Sequence, residues 1–169
     1  MEAARFPVYL QPVPRPAAET LAALTAPARR LLSRVELLRH LDAQADIAPR
    51  APLSFLAVRV TGLDDVLEAR GEVGVRFVTR GVGEAFLSLC RGTDIPGELG
   101  DGEFGLILQG SGPTAAAAAA ARLHHHLNRL PFVPSGCAVL VGAATGTGSH
   151  GRRLARAALD VFDGDCCSG

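Results

Sequence analysis

Arg91 and Asp94 stand in R-x-x-D spacing, and a short Gly/acid run, Gly100-Asp101-Gly102-Glu103, follows them in the stretch RGTDIPGELGDGEF. The arginine offers a planar fork of donors suited to bidentate pairing with an anion, and the aspartate an acceptor within one turn of it. Glycines at 100 and 102 put no Cβ in the way of an approaching backbone or phosphate. The mixed segment Ile95–Leu99 leads into the run and the apolar Phe104-Gly105-Leu106-Ile107-Leu108 leads out of it. That pattern predicts a β-hairpin closed by residues that tolerate φ > 0.

Other groups that could do chemistry carry less. His124, His125 and His126 are consecutive on a helical stretch, so they point about 100° apart and do not converge on a metal. Gly146-Thr147-Gly148-Ser149 ahead of a helix has the form of an anion-binding turn but lacks a P-loop lysine, which favours a plain loop. Cys90, Cys137, Cys166 and Cys167 show no metal-type spacing, and no nucleophile elbow supports Ser-His-Asp chemistry. Neither a catalytic residue nor a metal ligand is expected.

The elements that must position Arg91 and Asp94 are legible around them. Leu53–Val60, LSFLAVRV, is apolar and β-rich, as for a central strand. Leu63–Ala69 predicts a short helix stopped by Gly71, and Val73–Leu89 a longer one that turns Val78, Val82, Ala85, Phe86 and Leu89 inward. After the hairpin, Gln109–Pro113 reads as a turn, Thr114 as an N-cap and the alanine tract to Leu130 as a helix. Cys137–Ala144 is a second apolar strand, Thr145–Ser149 a polar loop and Arg152–Phe162 a last helix. Upstream, residues 1–17 form a Pro-rich lead-in or linker, and Ala18–Leu41 is helical, broken at Pro27, with Leu31, Leu32, Val35, Leu38 and Leu41 on one face. Gln44–Pro52 is expected as a loop. The order argues an α/β fold, a mainly antiparallel sheet with strands near 53–60, 94–99, 103–109 and 137–144 flanked by helices.

The chain has 169 residues, 48% of them hydrophobic and 20% charged, which describes one globular domain with a real core. Its formal net charge is zero, so there is no electrostatic case for nucleic acid or for a membrane surface. All 17 basic residues are arginine. No apolar run is long enough to span a bilayer and no signal peptide is evident, so a reduced, cytoplasmic protein is expected.

LGDGEF resembles the signature hairpin of GGDEF domains, the bacterial diguanylate cyclases, altered at Asp101 and Gly102. The upstream R-x-x-D stands where that family carries its inhibitory site for cyclic di-GMP. Leu24, Thr25 and Arg30 are similar to the family's L-T-G-L-x-N-R run, and residues 53–130 fit the family pattern without a large gap, continuing loosely to about 163. The resemblance implies a nucleotidyl-cyclase-like fold over residues 18–163, with 164–169 as a tail.

In that register the active-site positions are replaced. The family's metal-binding aspartate is Arg59, its guanine-reading asparagine is Leu67, its guanine-reading aspartate is Arg76, and the metal-binding acid of its hairpin is Gly102. The lysine that meets triphosphate is Asp163. Joining two nucleoside triphosphates needs a divalent cation, and magnesium needs carboxylate oxygens. A guanidinium repels it and glycine offers no side-chain oxygen. Asp64 and Asp65 fall on the following helix, and Asp101, displaced by one residue, points to the other face of the hairpin. The inhibitory site is retained instead: Arg91, Asp94 and, at the spacing of a further arginine in the next helix, Arg122. Arginine forks suit phosphate and guanine O6/N7, and a carboxylate accepts from guanine N1–H and N2–H₂.

Three functions follow as expectations. The first is a non-catalytic cyclic di-GMP receptor, needing no cofactor and able to form a ligand-linked homodimer or meet a further protein partner. The second is an interaction or assembly module without nucleotide function, in which Asp94 only ends a helix and bonds to backbone or to Arg91. The third, with least support, is an active cyclase with relocated acids.

Overall fold

The computed structural model describes residues 29–100, 102–147 and 151–164. Among these, the elements run α1 (Arg34–Ile47), β1 (Leu53–Thr61), α2 (Leu63–Leu89), β2 (Ile95–Gly100), β3 (Glu103–Gln109), α3 (Pro113–Leu127), β4 (Ala138–Gly146) and α4 (Gly151–Gly164). The four strands form one sheet in the order β2-β3-β1-β4, and every neighbouring pair is antiparallel. β1 lies inside the sheet, which is why its sequence is apolar on both faces. The expected α/β architecture and all four expected strands are present.

Alternation along the strands sorts the core into two layers. Leu56, Val58 and Val60 of β1 join Phe104, Leu106 and Leu108 of β3 against Val78, Val82 and Phe86 of α2 and Leu123 and Leu127 of α3. On the other face Phe55, Ala57 and Ile107 pack against Leu37, Leu41 and Ala45 of α1 and Ala155, Ala158 and Phe162 of α4. α4 comes closest: a Cβ built on Gly142 of β4 would lie 2.3 Å from the Ala158 carbonyl oxygen. Gly142→Ala should therefore push α4 off the sheet and destabilise the protein by about 1–3 kcal/mol, read as a lower midpoint in urea unfolding.

The helices depart from expectation in instructive ways. α2 is two helices merged across Gly71, whose φ of 65° and ψ of −172° interrupt it where the sequence predicts a stop. α1 begins at Arg34, because Ser33 caps it and Glu36 closes a capping box, and Arg30 clasps Glu36 at 2.7 Å. That start phases the inward face as Leu37, Leu41 and Ala45, leaving Val35 60% exposed and placing Leu31 and Leu32 ahead of the helix. The helix also runs on to Ile47, through residues expected as loop. α3 is capped at Gly112 with Pro113 in its first turn, not at Thr114, since proline is suited to that place. It ends at Leu127, not Leu130. β4 continues to Gly146, two residues beyond its expected end. The lead-in, Leu24, Thr25, Asp101, Gly148, Ser149, Cys166 and Cys167 lie outside the described residues. No helix among the described residues is long and apolar enough to cross a membrane.

Candidate functional site

α2 ends at Leu89, and Cys90 leaves it in extended conformation. The chain then turns through Arg91–Asp94 into β2. Asp94 shapes this turn: its Oδ2 accepts the Arg91 backbone N–H at 2.7 Å, and its own N–H donates to the Arg91 carbonyl at 3.1 Å. The Asp94 residue is buried, with 9% exposure, while Arg91 is exposed. Asp94 thus bonds the backbone of Arg91, not its guanidinium, as the purely structural reading expects of it.

The turn also forms one wall of a cleft of about 280 Å³. Its floor is the end of β3 at Leu108 and Gln109, and its far wall is α3, where Ala115, Ala118 and Ala119 leave the space open and Arg122 reaches the rim. Arg91, Asp94 and Arg122, which the family resemblance singles out, therefore line one cavity. Two guanidiniums and one carboxylate give it a net positive lining, and neither arginine belongs to an ion pair among the described residues. Such a lining favours anions that carry donors for the carboxylate.

Cys90 sits beside this cleft but adds no nucleophile. Burial first, and the charge of Asp94 second, push its thiol up to about 12, and Sγ donates to the Phe86 carbonyl at 3.2 Å. A thiol that stays protonated is inert. Alkylation of the native protein with iodoacetamide at pH 8 should leave Cys90 unmodified in peptide mapping, and denaturant should expose it to labelling.

The replaced positions divide between two places. Leu67, Arg76 and Gly102 line a larger cleft of about 490 Å³ between α2 and the hairpin, together with Asp64, Glu72 and Glu98. Gly102 has φ 77°, a backbone conformation that residues with a side chain rarely adopt, and a Cβ there would also require the Leu63 Cδ1 methyl, 2.8 Å away, to move. Arg59 lies on the opposite face of β1. Its Nε donates to Glu103 Oε1 at 2.7 Å, its Nη1 to Asp163 Oδ1 at 3.4 Å, and its guanidinium stacks 4.8 Å from the Phe162 ring centroid. Burial opposes the charge, but the Glu103 and Asp163 carboxylates outweigh it and hold the group above its ordinary range. Two positions whose charges are both reversed relative to the resembled pattern thus meet as an ion pair. The donor set does not fit a divalent cation, because Glu103 is committed to Arg59, Gly102 has no side-chain oxygen, and its carbonyl accepts the Val60 N–H at 3.0 Å. Asp64 and Asp65 do not converge either: Asp65 lines a separate cavity with Gly62 and Cys137.

His124 to His126 are exposed on the last turn of α3, with His125 Nε2 3.3 Å from Arg129 Nη1. Sequence reasoning missed Arg29, whose guanidinium reaches the Arg91–Asp94 turn. No sequence signal marks that contact, which spans more than 60 residues. It also missed Asn128, whose Oδ1 accepts the Val139 N–H at 2.8 Å while Nδ2 donates to the Val139 carbonyl at 2.7 Å, bracing β4.

No family model matches the chain, and no curated protein matches it. Solved structures do. The FimX GGDEF domain from Pseudomonas aeruginosa superposes with a TM-score of 0.72 at 19% identity, over 85% of this chain and 94% of that one. The GGDEF domain of DgcB from Caulobacter crescentus, solved in complex with c-di-GMP, gives 0.69 at 15% identity over 84% and 86%. The diguanylate cyclase SiaD from Pseudomonas aeruginosa, in complex with its activator SiaC, gives 0.68 at 22% identity over 87% of this chain, which spans 62% of the SiaD chain. Strand order, the hairpin and these superpositions together establish that the chain has the fold of a GGDEF domain.

Proposed function

We propose that this is a non-catalytic GGDEF-like domain that receives cyclic di-GMP at Arg91, Asp94 and Arg122. The observation that carries the reading is the convergence of these residues on one cleft, whereas Arg59 is neutralised by Glu103 and Asp163 on the other face of the sheet. Each arginine can fork onto a phosphate or the O6/N7 edge of a guanine, and the free oxygen of Asp94 can accept from guanine N–H groups. At about 280 Å³ the cleft lies at the low end of ligand pockets. It holds part of a dinucleotide and leaves the rest for a second ligand molecule or a second protomer, which supports a ligand-linked homodimer. The domain needs no cofactor in this role and works in the cytoplasm, where cyclic di-GMP is made and read. Calorimetric titration of the protein with cyclic di-GMP tests the reading: binding at tens of micromolar or tighter is expected, and the absence of heat in that range removes it.

A second reading, a docking module for another protein, is favoured by Val73 and Phe77 one turn apart on α2, 72% and 62% exposed. It takes over if the titration is silent.

A further inference from the structure

The Arg29 guanidinium donates from Nη1 to the Cys90 carbonyl at 2.8 Å, and from Nη2 to the carbonyls of Arg91 and, at 3.3 Å, Asp94. One side chain thus gathers three carbonyls of the turn that begins at the end of α2. The turn's N–H groups are held from within, by Asp94 on Arg91 and by Arg91 on Asp94. A guanidinium outside and a carboxylate inside together fix the peptide planes between residues 90 and 94. Those planes set the direction in which the Arg91 side chain leaves the backbone and the orientation of the Asp94 carboxylate. Arginine suits this place because it carries five donors in a rigid fork, while the asparagine of the resembled L-T-G-L-x-N-R run has one NH₂.

Arg29 also belongs to a segment docked on the sheet. The Leu32 N–H donates to the Pro96 carbonyl at 3.0 Å, and the Glu98 N–H donates to the Leu32 carbonyl at 2.8 Å, making a parallel bridge between Leu32 and Gly97 at the outer side of β2. Segment 29–33 and the Arg91–Asp94 turn are thus joined at both ends, by the guanidinium and by the β2 contact.

We propose that Arg29 is a positioning residue of the cyclic di-GMP cleft and couples its occupancy to the segment that precedes α1. The proposal rests on the receptor reading above. A ligand that needs the ordered turn favours the docked segment, and by reciprocity a docked segment favours the ligand. Arg29 itself does not line the cleft.

The test compares the full chain with Arg29→Ala and Arg29→Lys, by calorimetry with cyclic di-GMP and by hydrogen–deuterium exchange with and without the ligand. Arg29→Ala should bind about five- to thirtyfold more weakly, as expected when hydrogen bonds that preorganise a site without touching the ligand are lost. Arg29→Lys, which keeps the charge but not the fork, should recover only part of that loss. In the wild type the ligand should slow exchange of the Leu32 and Glu98 amides, and in Arg29→Ala that protection should vanish. A residue that merely stabilised the fold would instead speed exchange throughout β1; here the Phe55–Val58 amides should be unchanged. If Arg29→Ala binds with wild-type affinity and its ligand still protects Leu32, the coupling is overturned while the receptor reading stands. If the wild type itself gives no heat, both fall together.

Discussion

Arg91→Ala should weaken cyclic di-GMP binding about ten- to a hundredfold, and Arg122→Ala by a similar factor. Each change removes hydrogen bonds to a charged group, worth about 1.5–3 kcal/mol, and about 1.4 kcal/mol corresponds to each tenfold in affinity. Arg91→Lys separates charge from geometry: it keeps the cation and loses the bidentate fork, so it should recover only part of the affinity. Arg59→Ala is the control. That guanidinium lies on the face of β1 that carries α4, bonded to Glu103 and Asp163, and the cleft lies on the face that carries α3. Its removal should leave the affinity almost unchanged. If Arg59→Ala weakens binding and Arg91→Ala does not, the ligand sits elsewhere and the assignment of the cleft is wrong.

No cyclic di-GMP should form when the protein is incubated with GTP and magnesium or manganese, as followed by chromatography of the reaction. The cation would have to displace a guanidinium that two carboxylates already neutralise, and it would find no side-chain oxygen at Gly102. The double variant Arg59→Asp, Gly102→Glu should stay silent as well. It restores two acids, but the new glutamate must hold the φ of 77° that glycine adopts there, a strained conformation for a residue with a side chain. Leu67 and Arg76, moreover, still line the adjoining cleft without the amide and carboxylate that guanine reading would use. Protein-dependent product above a no-protein blank, from either form, would defeat this argument.

The strands and the cleft were legible because their signals are local. LSFLAVRV is apolar on both faces, and the structure puts it between β3 and β4; the Gly/acid run closes the hairpin it predicts. Arg91 and Asp94 are three residues apart on one turn, whereas Arg122 came only through the family resemblance, on a helix that the alanine tract announces. α1 was misphased for a reason equally local: Ser33-Arg34-Val35-Glu36 is a capping box, and giving it precedence over leucine spacing would have started the helix correctly. The meeting of Arg59 with Asp163 is different. Each replacement is visible alone, but their pairing across 104 residues is a product of β1 and α4 packing. Arg29 is more opaque still, one arginine among 17 with nothing nearby to distinguish it.

The treatment of the sheet's two margins bears on how copies of this protein can meet. An unpaired strand margin is a template on which another chain can add, and runaway addition is aggregation. At β2 that template is occupied around Gly97 by the protein's own Leu32. At β4 the amide of Asn128 answers both backbone groups of Val139 as a neighbouring strand would. Strand-to-strand annealing is obstructed at Gly97 and at Val139, so a dimer of the kind proposed above would meet through side-chain surfaces and shared ligand. Such a ligand-linked dimer would come apart when the small molecule is withdrawn, with no annealed strands to hold it.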